Sequence, residues 1–211
     1  MIFAANGQYR SGSTLAYNLL KDIAPARALG GKSPQEAEVL VRGGHARHYT
    51  IKVHTWWNAK AYCVYTFRHP IGRLVSGLSI DAWQGRSTGE RYAKALAAVK
   101  LDSEIFLQQL KHPEWPVLML KYEDLLGEEV EMARRIAEFI GSPINVELVA
   151  DRYTPDKVMR LTKELRKQGK EACEETEFRV NHISRAVFEL PDKVRKQCLD
   201  DNKEFLRAAG Y

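Results

Sequence analysis

The feature that most constrains this chain lies at its start. A short apolar run, Ile2 to Asn6, stops at Gly7, and Gly7-Gln8-Tyr9-Arg10-Ser11-Gly12-Ser13-Thr14 leads into a stretch that sets Leu15, Leu19, Leu20 and Ile23 on one helical face. An apolar run that ends in a glycine turn reads as a buried strand. A strand, a glycine loop and a helix in that order call for a layered α/β fold, because the strand needs cover on both faces. The glycines permit a tight turn that presents backbone N–H groups, and a helix N-terminus adds about half a positive charge. Such a loop suits a phosphate. Loops that grip nucleoside triphosphates carry Lys before the final Ser/Thr. Here Ser13 takes that place, and the cation within the loop is Arg10. A charge-assisted bond from Arg10 to an anion is worth roughly 1.5–3 kcal/mol. Ordinary ATP or GTP hydrolysis is therefore disfavoured.

The rest of the chain repeats the strand-and-helix theme. Tyr49 to Val53 and Ala61 to Phe67 read as strands, rich in β-branched and aromatic residues. Pro116 to Tyr122 is a further apolar strand. Helical patterns cover Ser33 to about Arg42, Pro70 to about Trp83, Gly89 to Leu110, a stretch capped by Asp124 and ending near Gly141, Asn145 to Arg152, Pro155 to Gln168, and Pro191 to Ala208. Short strands separated by helices predict one domain, residues 1–211, with a central parallel sheet flanked by helices in three α/β/α layers.

Composition narrows the function classes. The formal net charge of the 211 residues is +5, which fits a polyanionic small ligand, an acidic substrate or nucleic acid. No basic stripe interleaved with aromatics is present, so nucleic acid is not an expected partner. The three cysteines, Cys63, Cys173 and Cys198, show no pairing pattern and read as free thiols in a reducing compartment. No apolar run is long enough to span a membrane, and no basic segment and apolar stretch mark a secretion signal. A cytoplasmic location is expected, or a catalytic piece of an anchored protein. Nothing in the sequence specifies an oligomeric state.

Two further pairs carry chemistry. Arg68 follows the strand that ends at Phe67, and Ser76 lies eight residues on, about two turns into the next helix. An arginine fork and a hydroxyl at a strand's carboxyl end suit a second phosphate. Arg68 alone reads more readily as a surface ion-pairing residue. Lys52 and His54 end another strand, and alternation sets both on one side. His54 could serve as general base and Lys52 could neutralise a leaving group. A satisfied strand-end histidine beside a solvated lysine is the plainer reading. Trp56 and Trp57 suit either an acceptor wall or the core.

Taken in order, Tyr9-Arg10-Ser11-Gly12-Ser13-Thr14, Lys52-Val53-His54 and Phe67-Arg68-His69-Pro70 with Ser76 resemble the sulfotransferases that use 3′-phosphoadenosine 5′-phosphosulfate (PAPS). The resemblance runs over about residues 1–190. It implies a P-loop-like fold and a loop, Arg10 with Ser11, Gly12, Ser13 and Thr14, that binds the 5′-phosphosulfate. It implies that Lys52 and His54 are catalytic with Arg10, that His54 is the base, and that Arg68 and Ser76 bind the 3′-phosphate. The acceptor would be a small molecule or carbohydrate offering a hydroxyl or amine, the product adenosine 3′,5′-bisphosphate (PAP), and no metal would be needed. Tyr122-Glu123-Asp124-Leu125 and Asn181-His182-Ile183-Ser184 are also similar to the family. Leu15 stands where the family carries an aromatic residue after the loop. Arg166-Lys167-Gln168-Gly169-Lys170 or Arg179 would replace an absent Arg-Lys-Gly. A P-loop kinase of a nucleotide or small metabolite, and a non-catalytic nucleotide-binding protein of the same fold, are the rival readings.

Overall fold

The computed structural model describes residues 1–31, 36, 39, 43, 48–54, 61–79, 87–111, 116–170, 173, 178 and 189–211. The helix expected from Ser33, the end of the helix expected at Trp83, the pair Trp56 and Trp57, and Arg179 with Asn181-His182-Ile183-Ser184 lie outside the described residues, apart from Glu36 and Val39.

Five parallel strands form the sheet: β1 (Ile2–Gly7), β2 (Arg27–Gly31), β3 (Tyr49–Lys52), β4 (Tyr62–Phe67) and β5 (Val117–Lys121), in the order β2-β3-β1-β4-β5. The central β1 is buried along its whole length, as an uninterrupted apolar run requires of a strand covered on both faces. Register sets Phe3 beside Tyr62 and Ala5 beside Val64. The two-residue alternation then sorts side chains to opposite faces.

On one face, Phe3, Ala5 and Val64 pack with Leu19, Leu20 and Ile23 of α1 (Ser13–Ile23). On the other, Cys63, Tyr65 and Phe67 meet Phe106 of α3 (Thr88–Lys111). Helix α2 (Pro70–Leu78) joins α3 through Leu74, Leu78, Leu96 and Val99. The remaining helices are α4 (Tyr122–Leu125), α5 (Glu129–Ile140), α6 (Val146–Asp151), α7 (Pro155–Lys167), α8 (Asp192–Asp201) and α9 (Lys203–Ala208). Met132 and Ile136 of α5 complete the α1 layer, and Phe205 of α9 completes the α3 layer. The fold is the expected parallel sheet between two helical layers.

One strand was not foreseen, and two expectations need correction. Strand β2 pairs with β3 at the sheet edge, although Arg27-Ala28-Leu29-Gly30-Gly31 carries no alternation or β-branched residue to announce it. Asp124 caps nothing: it lies within α4, the chain turns at Gly127 (φ 82°), and α5 starts afresh at Glu129. The terminal helix is two helices, broken at Asn202, whose Nδ2 donates to Cys198 O at 2.7 Å. Among the described residues no helix is long and apolar enough to cross a membrane.

Candidate active site

From β1 the chain passes through α1 toward β2; from β4 it passes through α2 and α3 toward β5. The strand order therefore reverses between β1 and β4, and open α/β sheets take their ligands in the crevice at the carboxyl ends of such strands. Gly7, Lys52 and Phe67 end β1, β3 and β4, so all three sequence motifs converge there.

The loop after β1 is held from within. A Cβ on Gly7 (φ 151°) would run into Thr66, so only glycine lets β1 lie this close to β4 at its end. Ser11 is fully buried, and its Oγ lies 2.6 Å from Gln8 O and 3.0 Å from Thr66 O. Both carbonyls only accept, so the Ser11 proton is committed to them, and the Thr66 hydroxyl, 2.8 Å away, can donate back. Ser11 was expected among the nucleotide-binding residues; its hydroxyl braces the loop. Gly12 enters α1 in the left-handed region (φ 85°), and no side chain caps the helix.

Arg10 is the sole non-glycine with positive φ (66°) among the described residues. A left-handed L-residue costs roughly 1–2 kcal/mol. The conformation sends its side chain toward α2, where Nε donates to Ser76 Oγ at 2.9 Å. Arg68 Nη1 donates to Arg10 O at 3.3 Å, and its guanidinium carbon lies 4.3 Å from the centroid of the Tyr122 ring. Gly72 makes room, since a Cβ there would press on the Arg68 side chain at 2.8 Å. Tyr122 also sits against Gly12, so it wedges between loop and arginine. The Arg10 pKa is pushed down, first by burial and then by the like charge of Arg68, while Tyr122 opposes the shift. Ser76 was expected to face the same crevice as Arg68. Its hydroxyl accepts from Arg10 and so links the two expected anion sites.

Lys52 is 8% exposed, and its Nζ donates to Thr14 Oγ1 at 2.8 Å, at the first turn of α1. Ser13, beside Thr14, is buried. His54 Nδ1 lies 3.0 Å from Gly7 O. A carbonyl cannot donate, so in the neutral ring the proton is assigned to Nδ1 and Nε2 keeps its lone pair. Tyr9 stacks on the His54 ring, with centroids 4.4 Å apart and planes at 15°. The sequence motifs thus meet: Lys52 at the loop's helix, His54 at its glycine.

Sequence reasoning missed what stands behind the loop. Gln8 Oε1 accepts from Arg68 N at 3.0 Å, and Gln8 Nε2 donates to Asp102 O at 3.4 Å. Asp102 Oδ2 accepts from Tyr9 N at 3.0 Å and from Arg73 Nη1 at 3.2 Å. Burial lifts the Asp102 carboxyl to about 6, against the pull of Arg73 and of the Tyr9 N–H. One signal was available: Asp102 falls in the stripe Leu96, Val99, Ser103 and Phe106 that α3 buries, a poor place for an unpartnered carboxylate. The segment Arg166-Lys167-Gln168-Gly169-Lys170 forms the C-terminal turn of α7, with Lys170 N donating to Leu165 O at 2.9 Å and Gly169 left-handed (φ 67°).

No family model matches the sequence, and no curated protein does. Solved structures do match. Mouse sulfotransferase SULT7A1 complexed with PAP aligns at a TM-score of 0.70 and 14% identity, over 99% of this chain and 84% of its own. Retinol dehydratase in a complex with retinol and PAP aligns at 0.58 and 15%, over 98% and 81%. The same enzyme with androsterone and inactive cofactor PAP gives 0.63 and 16%, over 98% and 80%. The chain has the sulfotransferase fold. In that fold the reversal between β1 and β4 is where Arg10, Lys52, His54, Arg68 and Ser76 gather.

Proposed function

We propose that this protein is a sulfotransferase that moves the sulfuryl group of PAPS to a hydroxyl or amine of a small-molecule or carbohydrate acceptor. The observation that carries the reading is the pairing of Arg10 and Arg68. Two like charges are brought together at a strained loop, and Ser76 ties one to the helix behind the other. Neighbouring guanidiniums repel, and an anion carrying a phosphate for each relieves that repulsion. A 3′,5′-disubstituted nucleotide offers one phosphate at each end of its ribose, whereas ATP carries all of its phosphates on the 5′ side. Ser13 in the usual lysine position points away from a triphosphate as well.

The chemistry follows from the side chains. His54 Nε2 takes the proton of the acceptor hydroxyl. The acceptor oxygen bonds to sulfur as the bond from sulfur to the bridging oxygen breaks, and the electron pair leaves with the 5′-phosphate of PAP. Arg10, Lys52, the hydroxyl of Thr14 and the N–H groups at the start of α1 face the charge that grows there. Arg68 with Ser76 holds the 3′-phosphate. Gly7 fixes the reactive tautomer of His54, and Tyr9 fixes the plane of its ring.

Calorimetry tests the donor site. PAP is expected to bind without metal and more tightly than ATP–Mg; binding of ATP–Mg with no response to PAP sinks the reading. Replacement His54→Ala tests the base. General acid–base groups contribute about 10²–10⁴ in rate. The variant should lose about that factor in turnover from radiolabelled PAPS while holding PAP within about threefold of the parent. Near-normal turnover would remove His54 from the base's role.

A further inference from the structure

A buried ion pair lies behind the phosphate loop. Asp102 and Arg73 are both almost completely buried, at 6% and 2% exposure. Asp102 is bonded to the phosphate loop, and Arg73 is part of the helix that carries Ser76. Asp102 Oδ2 accepts from Tyr9 N, the residue before the strained Arg10. Asp102 O accepts from Gln8 Nε2, and Gln8 Oε1 accepts from the backbone N of Arg68. Arg73 belongs to α2, one turn before Ser76, and its Nη2 donates to Ser103 Oγ at 2.8 Å and Val99 O at 3.2 Å. One stretch of α3, Val99 to Ser103, therefore holds the phosphate loop and the helix that carries Ser76, and reaches the residue after β4 through Gln8. The bond from Arg10 to Ser76 closes the ring at the front.

We infer that Asp102, locked by Arg73, is a positioning residue that fixes the separation of the two anion-binding arms and so makes the site selective for a nucleotide bearing phosphates at both the 5′ and 3′ positions. The inference rests on the proposed donor site. Its physical basis is preorganisation. A second phosphate adds affinity only if the second arm already stands where the first phosphate's nucleoside places it. Hydrogen bonds are directional and tied to fixed backbone atoms, so they can hold such a distance where apolar packing alone would let it drift. Arg10 needs the restraint most, because its left-handed backbone relaxes once Tyr9 is released.

The test compares adenosine 3′,5′-bisphosphate with adenosine 5′-monophosphate by calorimetry, in the parent and in Asp102→Asn, well below the melting temperature of each. The parent should prefer the bisphosphate strongly. In Asp102→Asn that preference should fall about tenfold, the size of coupling expected between groups in one hydrogen-bond network. A merely structural Asp102 would lower the melting temperature and leave the ratio alone, and an unchanged ratio overturns the inference. If Asp102→Asn does not fold, Ser103→Ala carries the test. It takes one bond from Arg73 and leaves the carboxylate, and it should lower the ratio about two- to threefold; no change overturns the inference again. A parent with no preference for the bisphosphate defeats the donor reading itself, and this inference with it.

Discussion

Both faces of the sheet are buried under helices, and the buried ion pair of Arg73 and Asp102 lies on one of them. Beneath α1 and α5 the contacts are apolar: Phe3, Ala5 and Val64 against Leu19, Leu20, Met132 and Ile136. Beneath α2 and α3 the core includes Gln8, Arg73, Asp102 and Ser103 beside Tyr65 and Phe106. Apolar contact is non-directional, so the first face fixes where α1 lies against the sheet and little more. The second face is directional, and it sets where the loop, Arg68 and Ser76 stand relative to one another. Stability and site geometry are thus held on different sides of the same strands.

That division can be broken by one substitution on each side. Leu20→Ala, at a fully buried position of α1, should cost about 2–5 kcal/mol of unfolding free energy, read from denaturant midpoints. Nucleotide affinity in the surviving folded protein should stay within about threefold. Arg10→Ala should do the reverse. Losing a donor aimed at developing charge costs about 10²–10³ in kcat, equivalent to about 2.7–4 kcal/mol on the barrier. Stability should move by less than about 1 kcal/mol, because the left-handed backbone is as strained for alanine as for arginine. If Leu20→Ala abolished binding, or if Arg10→Ala unfolded the chain, the two faces would not be separable in this way.

Arg68→Lys sharpens the contrast within the site. Lysine keeps the charge and loses both the fork and the flat stack on Tyr122. Affinity for the 3′,5′-bisphosphate should fall about tenfold, and affinity for the 5′-monophosphate should hardly change, because Arg68 is assigned to the other phosphate. An equal loss for both ligands would move Arg68 to the 5′ end.

The apolar face was readable from the sequence and the polar one was not, for a physical reason. Leu19, Leu20 and Ile23 recur at helical spacing, and Ile2 to Asn6 is an unbroken buried run, so local pattern alone announces β1, α1 and the loop between them. Lys52, His54 and Arg68 could also be placed, since each stands at or just past the end of a strand, and Ser76 by its spacing from Arg68. Asp102 is 94 residues from Gln8 and 29 from Arg73, and no local pattern says which distant partner a buried carboxylate will find. Gln8 drew no reading of its own, because its partners are Asp102 and the backbone N of Arg68. Strand β2 failed for the opposite reason: Arg27 to Gly31 is placed by pairing with β3 rather than by its own preference. The partnership of Ser76 with Arg10 likewise depends on a backbone angle, φ 66°, that arginine rarely adopts and that no sequence pattern encodes.

The smallest expected effect concerns pH and separates stability from site geometry at one residue. Burial raises the Asp102 carboxyl to about 6 from 3.8, with Arg73 and the Tyr9 N–H pulling the other way and Tyr65 facing it from β4. A carboxyl raised by folding binds its proton more readily in the native state than in the unfolded one. The contribution of this group to stability is therefore fullest below pH 3.8 and is lost as pH rises through 6. Between pH 7.5 and pH 5 the parent should gain about 1 kcal/mol relative to Asp102→Asn, which has no proton to take up there. Binding should move the other way, because the neutral acid no longer pairs with Arg73 and the arms lose their fixed separation. The bisphosphate-to-monophosphate preference of the parent should fall severalfold over that interval and approach the pH-insensitive preference of Asp102→Asn. Comparing the two proteins at each pH removes the titration of the ligand's own phosphates. Parallel pH profiles for parent and variant, in stability or in preference, would mean that this carboxylate does not titrate in the native state.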